Sequence, residues 1–124
     1  MKIYTVLVTG SRSWRDGTLI AECLAAVQEH IRNQFPESLF RLIEGGASGA
    51  DTLARAAAHT LGWEIITVPA KWEKLGKVAG SLRNQEMVDM KPDVCFAFPT
   101  AESRGTWDCV NRCKAAKIPV HIKG

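Results

Sequence analysis

The sequence predicts an α/β fold, a three-layer sandwich with a five-stranded parallel sheet at its centre. Three observations lead there. Short apolar runs alternate with helix-patterned segments along all 124 residues. The first run is β-branched and apolar, as befits a buried strand. Three glycine-bearing turns each stand where a strand pattern runs into a helix pattern.

Element by element, Ile3 to Val8 is the first strand. Asp16 or Thr18 can cap a helix whose Leu19, Ile20, Cys23, Leu24, Val27 and Ile31 follow helical spacing, and Pro36 lies beyond its end. Phe40 to Ile43 is the second strand. Ser48 opens a second helix carrying Leu53, Ala54, Ala57 and Leu61 on one face, stopped by Gly62. Glu64 to Val68 is the third strand, closed by Pro69. Ala70 to Gly80 shows no apolar period and reads as irregular. A short helix follows over Ser81 to Met90, with Leu82, Met87 and Met90 on its apolar side and Pro92 after it. Val94 to Phe98 is the fourth strand. A turn with Pro99 and Gly105 leads to a helix holding Val110, Cys113, Ala116 and Lys117, and Ile118 to Ile122 is the fifth strand. This order predicts right-handed crossovers and helices on both faces. In such sheets ligands bind beyond the carboxyl ends of the strands, where the strand order reverses.

Composition narrows the class. The length suits one domain, residues 1–124. The hydrophobic fraction of 46% and charged fraction of 23% are ordinary for a globular chain. No apolar run approaches a membrane span, and the first ten residues lack a signal-peptide pattern, so the expected location is cytoplasmic. Cys23, Cys95, Cys109 and Cys113 lack paired spacing and read as buried thiols, with no metal or other cofactor expected. The net charge of +3 resides in residues 71–83, where Lys71, Lys74, Lys77 and Arg83 face a single Glu73. A local excess of this kind suits a small anionic ligand and argues against a long nucleic-acid track.

The glycine turns carry the chemistry. Gly45, Gly46 and Gly49 form G-G-x-x-G ahead of a helix, with Glu44 where a dinucleotide fingerprint has an earlier glycine. Glycine lets the backbone approach a phosphate closely, and a helix N-terminus offers unpaired N–H groups and a favourable dipole. Ser48 and Asp51 fit a capping box, so Asp51 either bonds backbone N–H groups or takes a ribose hydroxyl. Gly10, Ser11 and Arg12 follow the first strand, where hydroxyl and guanidinium can share a phosphate. Ser103, Arg104, Gly105 and Thr106 repeat the logic after the fourth strand, with Thr106 as an alternative helix cap. Trp14, Trp72 and Trp107 lie near these loops and can either stack on a base or pack. Trp63 reads as packing, and His30, His59 and His121 receive no role.

In matching order, Gly10-Ser11-Arg12-Ser13-Trp14, Gly45 to Asp51, Ala79-Gly80-Ser81-Leu82-Arg83-Asn84-Gln85-Glu86-Met87-Val88, and Phe98-Pro99 through Ser103-Arg104-Gly105-Thr106 resemble the YspA-like, cpYpsA-related branch of the SLOG superfamily. The resemblance spans essentially the whole chain. It implies a Rossmann-like fold, a nucleotide or nucleotide-derived ligand, and a homodimer, which such relatives often form. Arg83-Asn84-Gln85-Glu86-Met87 is similar to the R-K-x-x-M motif of the Lonely Guy phosphoribohydrolases. Their second motif, P-G-G-x-G-T-x-x-E, is matched only at Gly105 and Thr106. Its catalytic Glu falls on Cys109, and the nearest carboxylate, Asp108, is rotated by about 100° on the helix.

The expected function is binding of a phosphorylated, nucleotide-type small molecule, as a sensor or sequestering module. Gly10, Ser11, Arg12, Gly45, Gly46, Ser48, Gly49, Asp51, Arg83, Asn84, Ser103, Arg104, Gly105 and Thr106 form the expected site. Two alternatives stand beside it. One is a phosphoribohydrolase-like enzyme using Arg83 and Asp108. The other is single-stranded DNA binding, because the DNA-processing protein A family shares the SLOG fold.

Overall fold

In the computed structural model, which describes residues 2–124, five parallel strands form one sheet in the order β3-β2-β1-β4-β5. The elements run β1 (Ile3–Gly10), α1 (Gly17–Gln34), β2 (Leu39–Glu44), α2 (Ala50–Thr60), β3 (Glu64–Thr67), α3 (Trp72–Leu75), a 3₁₀ turn (Gly76–Val78), α4 (Ala79–Asp89), β4 (Val94–Phe98), α5 (Arg104–Ala115) and β5 (Val120–Ile122). The expected α/β sandwich is observed.

Strand β1 sits at the centre, with Val6 opposite Leu42 on one side and Val94 on the other. Its successive side chains feed two cores. Val6 and Val8 join Ile20, Leu24, Ala54 and Ala58 beneath α1 and α2. Leu7, between them, joins Met87, Val88, Cys109 and Cys113 beneath α4 and α5. Successive apolar residues such as Val6-Leu7-Val8 are therefore what a sheet covered on both faces requires. The edge strands β3 and β5 have only four and three residues, which limits unpaired sheet edge.

Several boundaries differ from the sequence expectation. The stretch read as irregular contains α3 and the 3₁₀ turn, which run into α4 at Ala79 rather than Ser81. Its apolar residues Trp72, Leu75 and Val78 are exposed, so no core-facing period marks it. Helix α2 starts at Ala50 rather than Ser48, because Gly49 adopts φ +75° and ends the turn. Helix α5 starts at Arg104, with Ser103 rather than Thr106 at its cap, and Ala116 and Lys117 lie past its end. Asp16 caps α1 by accepting the Leu19 N–H at 3.0 Å, which decides between the two expected caps.

Candidate functional site

The carboxyl ends of β2, β1 and β4 lie side by side, and the strand order reverses about β1. The loops that follow are tied together. The Ser11 N–H donates to the Phe98 carbonyl at 2.9 Å, and the Ala50 N–H donates to the Ser11 carbonyl at 3.1 Å. At Gly10 an added Cβ would lie 2.5 Å from the Ala50 Cβ, so glycine is required where the two turns meet. A cavity of about 820 Å³ opens over this edge, bordered by all three loops and by α4. Its wall includes Gly10, Ser11, Arg12, Asp51, Arg83, Asn84 and Ser103 through Thr106, but not Gly45, Gly46, Ser48 or Gly49.

The glycine turn after β2 is occupied by the chain's own carboxylates. Asp51 Oδ2 accepts the N–H groups of Gly45 at 3.1 Å and Ala47 at 3.2 Å. Glu44, wholly buried, accepts the Gly46 N–H at 2.6 Å and the Thr67 hydroxyl, with Arg55 3.8 Å away. The expected capping box does not form. Ser48 donates its hydroxyl to the Arg12 carbonyl at 3.3 Å, and Asp51 bonds loop N–H groups ahead of the helix instead. Burial pushes the Asp51 carboxyl up to about 6, against the opposing pull of its backbone bonds and of Arg83. The Gly45 and Gly46 N–H groups are thus already paired with the chain's own carboxylates.

The turn after β4 is open by contrast. The Ser103 hydroxyl accepts the Thr100 N–H at 2.8 Å rather than a helix N–H. Among the described residues no acceptor reaches the N–H groups of Gly105 or Thr106, the second and third positions of α5. No atom lies within 4 Å of where a Gly105 Cβ would stand. Beside this turn runs a chain of hydroxyls. Ser13 Oγ lies 2.9 Å from Ser11 Oγ, Thr100 Oγ1 donates to Ser11 Oγ at 2.9 Å, and Ser103 Oγ is 3.1 Å from Thr100. Ser13 and Thr100 carry no spacing signal in sequence; only the adjacency of β1 and β4 unites them.

Helix α4 lays polar side chains against both turns. Arg83 Nη1 donates to the Gly45 carbonyl at 2.6 Å, and its Nε donates to Asn84 Oδ1 at 3.0 Å. A Cβ on Gly45 would collide with this guanidinium. Asn84, nearly buried, donates to the Gly105 carbonyl at 3.2 Å and to Asp108 Oδ2 at 3.0 Å. Arg112 Nε donates to the same Asp108 oxygen at 2.9 Å. Burial alone would raise the Asp108 carboxyl, but the bonds from Arg112 and Asn84 outweigh it and hold it below its ordinary value. Asp108 therefore borders the cavity as a carboxylate. Cys109, one residue on, is wholly buried. Its hydrogen bond with Cys113, then burial, push the thiol far up, so it is no thiolate.

The first motif contributes side chains but no helix end. Helix α1 begins seven residues after β1, and its cap lies outside the cavity wall. Arg12 reaches over Trp72, with its guanidinium carbon 5.5 Å from the ring centroid. Trp72 is about half exposed and lines the cavity. Trp14 packs edge-on against Phe98 at 5.4 Å and donates to the Asp16 carbonyl, so it is not free to stack on a ligand. Trp107 stands outside the cavity wall. Trp63 packs as expected, stacked 5.1 Å from Phe40.

Residues 4–75 match the model of the YspA, cpYpsA-related SLOG family. The chain belongs to this family. Gene 61 protein of Mycobacterium phage D29 is 41% identical over 122 residues, covering 93% of this chain and 92% of that protein. The solved structure of DNA processing protein A (DprA) from Streptococcus pneumoniae is similar over 98% of this chain with a TM-score of 0.70. At 18% identity that likeness is one of fold, and this SLOG chain spans about half of the DprA chain, 51%. Among the described residues, no helix is long and apolar enough to cross a membrane, and no group of three or more His, Cys, Asp or Glu is placed to hold a metal ion.

Proposed function

We propose that the chain binds a phosphorylated, nucleotide-type small molecule in the cavity over the β1–β4 edge. The observation that carries this is the open first turn of α5. Among the described residues the N–H groups of Gly105 and Thr106 are unclaimed, and both residues border a cavity that Arg83 also borders. A helix N-terminus paired with a guanidinium is complementary to a phosphate in both charge and donor geometry. Two of the Arg83 donors hold Gly45 and Asn84, which fixes the head group and leaves further donors for a ligand. The hydroxyls of Ser11, Ser13, Thr100 and Ser103 flank the same place. Asp51 and Asp108 supply acceptors for sugar hydroxyls. A thermal-shift screen tests this, with nucleoside monophosphates, nucleotide sugars, cyclic nucleotides and a single-stranded oligonucleotide as probes. Selective stabilisation by a nucleotide supports the reading. Stabilisation by the oligonucleotide alone replaces it with DNA binding.

One observation favours a hydrolytic reading: Asp108, held ionised, borders the cavity. Against it, Asp108 Oδ2 is already committed to Asn84 and Arg112, and Cys109 offers no carboxylate to an oxocarbenium-like centre. We infer little or no release of free base from nucleoside monophosphates. Chromatographic detection of robust release that disappears in Asp108→Ala would promote the enzyme reading.

A further inference from the structure

A second cavity, of about 290 Å³, adjoins the large one and is walled by Gly45, Gly46, Ser48, Pro69 and Ala70. Arg12, Ala47, Trp72 and Arg83 line both chambers, so two guanidiniums and an indole form the partition. The chambers differ in chemistry. Asp51, Glu102 and Asp108 border the large one, whereas no carboxylate lines the small one. Carboxylates repel phosphate but accept sugar hydroxyls, which places a sugar in the large chamber and phosphate towards the arginines. The small chamber offers glycine and alanine backbone, a proline and the indole of Trp72. That lining suits a flat, uncharged group such as a base or a second sugar.

We propose that the small chamber is a second subsite of the same site, and that the ligand is a two-part molecule joined through a diphosphate. One phosphate meets the first turn of α5, the next meets Arg12 and Arg83 at the partition, and the second group enters the small chamber. A nucleoside monophosphate ends at its phosphate and leaves the small chamber to water. A diphosphate diester has a substituent at each end and carries one charge on each phosphate, one for the helix N-terminus and one for the guanidinium pair. This inference rests on the reading that the large chamber binds a nucleotide-type anion.

The test compares matched pairs by calorimetric titration of the full chain: AMP against diadenosine diphosphate, and UMP against UDP-glucose. At least one two-part probe is expected to bind ten or more times tighter than its monophosphate. Ala70→Phe fills the small chamber from a half-buried loop position and is expected to abolish that advantage, leaving monophosphate affinity within twofold. Ala70→Val, a milder filling, is expected to fall between. Thermal melts of both variants establish that they fold. Equal affinities within each pair, or an Ala70→Phe effect that is the same on both members, would overturn the two-chamber reading while leaving the monophosphate site standing. Absence of binding by every probe would overturn both.

Discussion

The turn between β2 and α2 and the turn between β4 and α5 both follow an apolar strand, both carry serine, and both lead into a helix at the same sheet edge. In the first, Glu44 and Asp51 take the N–H groups of Gly45, Gly46 and Ala47, and Arg83 holds the Gly45 carbonyl. In the second, Ser103 turns to Thr100, and among the described residues no acceptor reaches the N–H groups of Gly105 and Thr106, which both border the cavity. The more glycine-rich motif is therefore the more closed one. Its anion is internal: carboxylates of the chain occupy the place that a phosphate takes in a phosphate-binding loop. A glycine-rich turn before a helix marks a capacity for anions, and whether a nearby Asp or Glu satisfies it decides where the ligand goes.

The largest expected effect breaks the closed turn. Gly49 has φ +75°, and a Cβ there would collide with the carbonyls of Ser11 and Arg12. Both the left-handed backbone and the overpacking are unfavourable, so Gly49→Ala is expected to destabilise the fold by about 3 kcal/mol. Urea unfolding checks this. A loss well below 1 kcal/mol would mean that the two turns are not braced against one another.

The next effect sharpens the claim that Asp51 serves as an internal anion. Its folded pKa of about 6 lies above the unfolded value, so the folded state binds the proton more tightly. The contribution of protonated Asp51 is fully present below about pH 4 and is lost as pH rises through 6. The swing is at most about 3 kcal/mol. An Asn at this position keeps one oxygen to accept the loop N–H groups and cannot titrate. Asp51→Asn is therefore expected to gain stability relative to the parent between pH 4 and 6, with a flat difference above pH 7. Thermal melts across that range decide it, and a pH-independent difference would remove Asp51 from this role.

Arg83 links the two turns. Arg83→Ala is expected to weaken nucleoside monophosphate binding at least tenfold, about 1.4 kcal/mol. It is also expected to cost about 1 kcal/mol of stability with the loss of the Gly45 bond, more than sequence alone suggests for an exposed arginine. Lys77→Ala removes one charge from the same segment and should weaken binding by less than threefold. Equal small effects in calorimetric titration would reduce Arg83 to diffuse charge.

The fold was legible in sequence because the strands and the core beneath α1 and α2 leave periodic traces; on α4 the expected apolar side was wrong, since Leu82 and Met90 are exposed and Met87 and Val88 are the buried pair. Apolar strands and helix stripes such as Ile20 and Leu24 can be read without coordinates. The convergence of the three loops was legible too, since it follows from the alternation of strands and helices. What sequence could not show is pairwise satisfaction. Nothing in Gly45-Gly46-Ala47-Ser48-Gly49 says that Asp51 reaches back to Gly45 and Ala47, or that Thr67 on β3 meets Glu44. The hydroxyl chain from Ser13 to Ser103 depends on the pairing of β1 with β4, 88 positions apart. The α3 segment was missed because its apolar residues point to solvent and to the cavity mouth, where no core imposes a period.

The smallest effect tests the open turn by adding one methyl group. Gly105 lies in the first turn of α5, its backbone is helical, and no atom is within 4 Å of the position a Cβ would take. Alanine is favoured over glycine in a helix by roughly 0.5–1 kcal/mol, chiefly through the unfolded chain's entropy. Gly105→Ala is therefore expected to raise stability by up to about 1 kcal/mol. The same methyl group would stand beside the N–H groups proposed to hold phosphate, where it narrows the approach of an anion. Affinity for the nucleotide found in the screen is expected to fall by severalfold even as the melting temperature rises. The two readouts separate the possibilities. A fall in stability would show that the turn is packed after all. A rise in stability with unchanged affinity would place the phosphate elsewhere on the cavity wall, nearer Arg12 and the Ser11 hydroxyl than the first turn of α5.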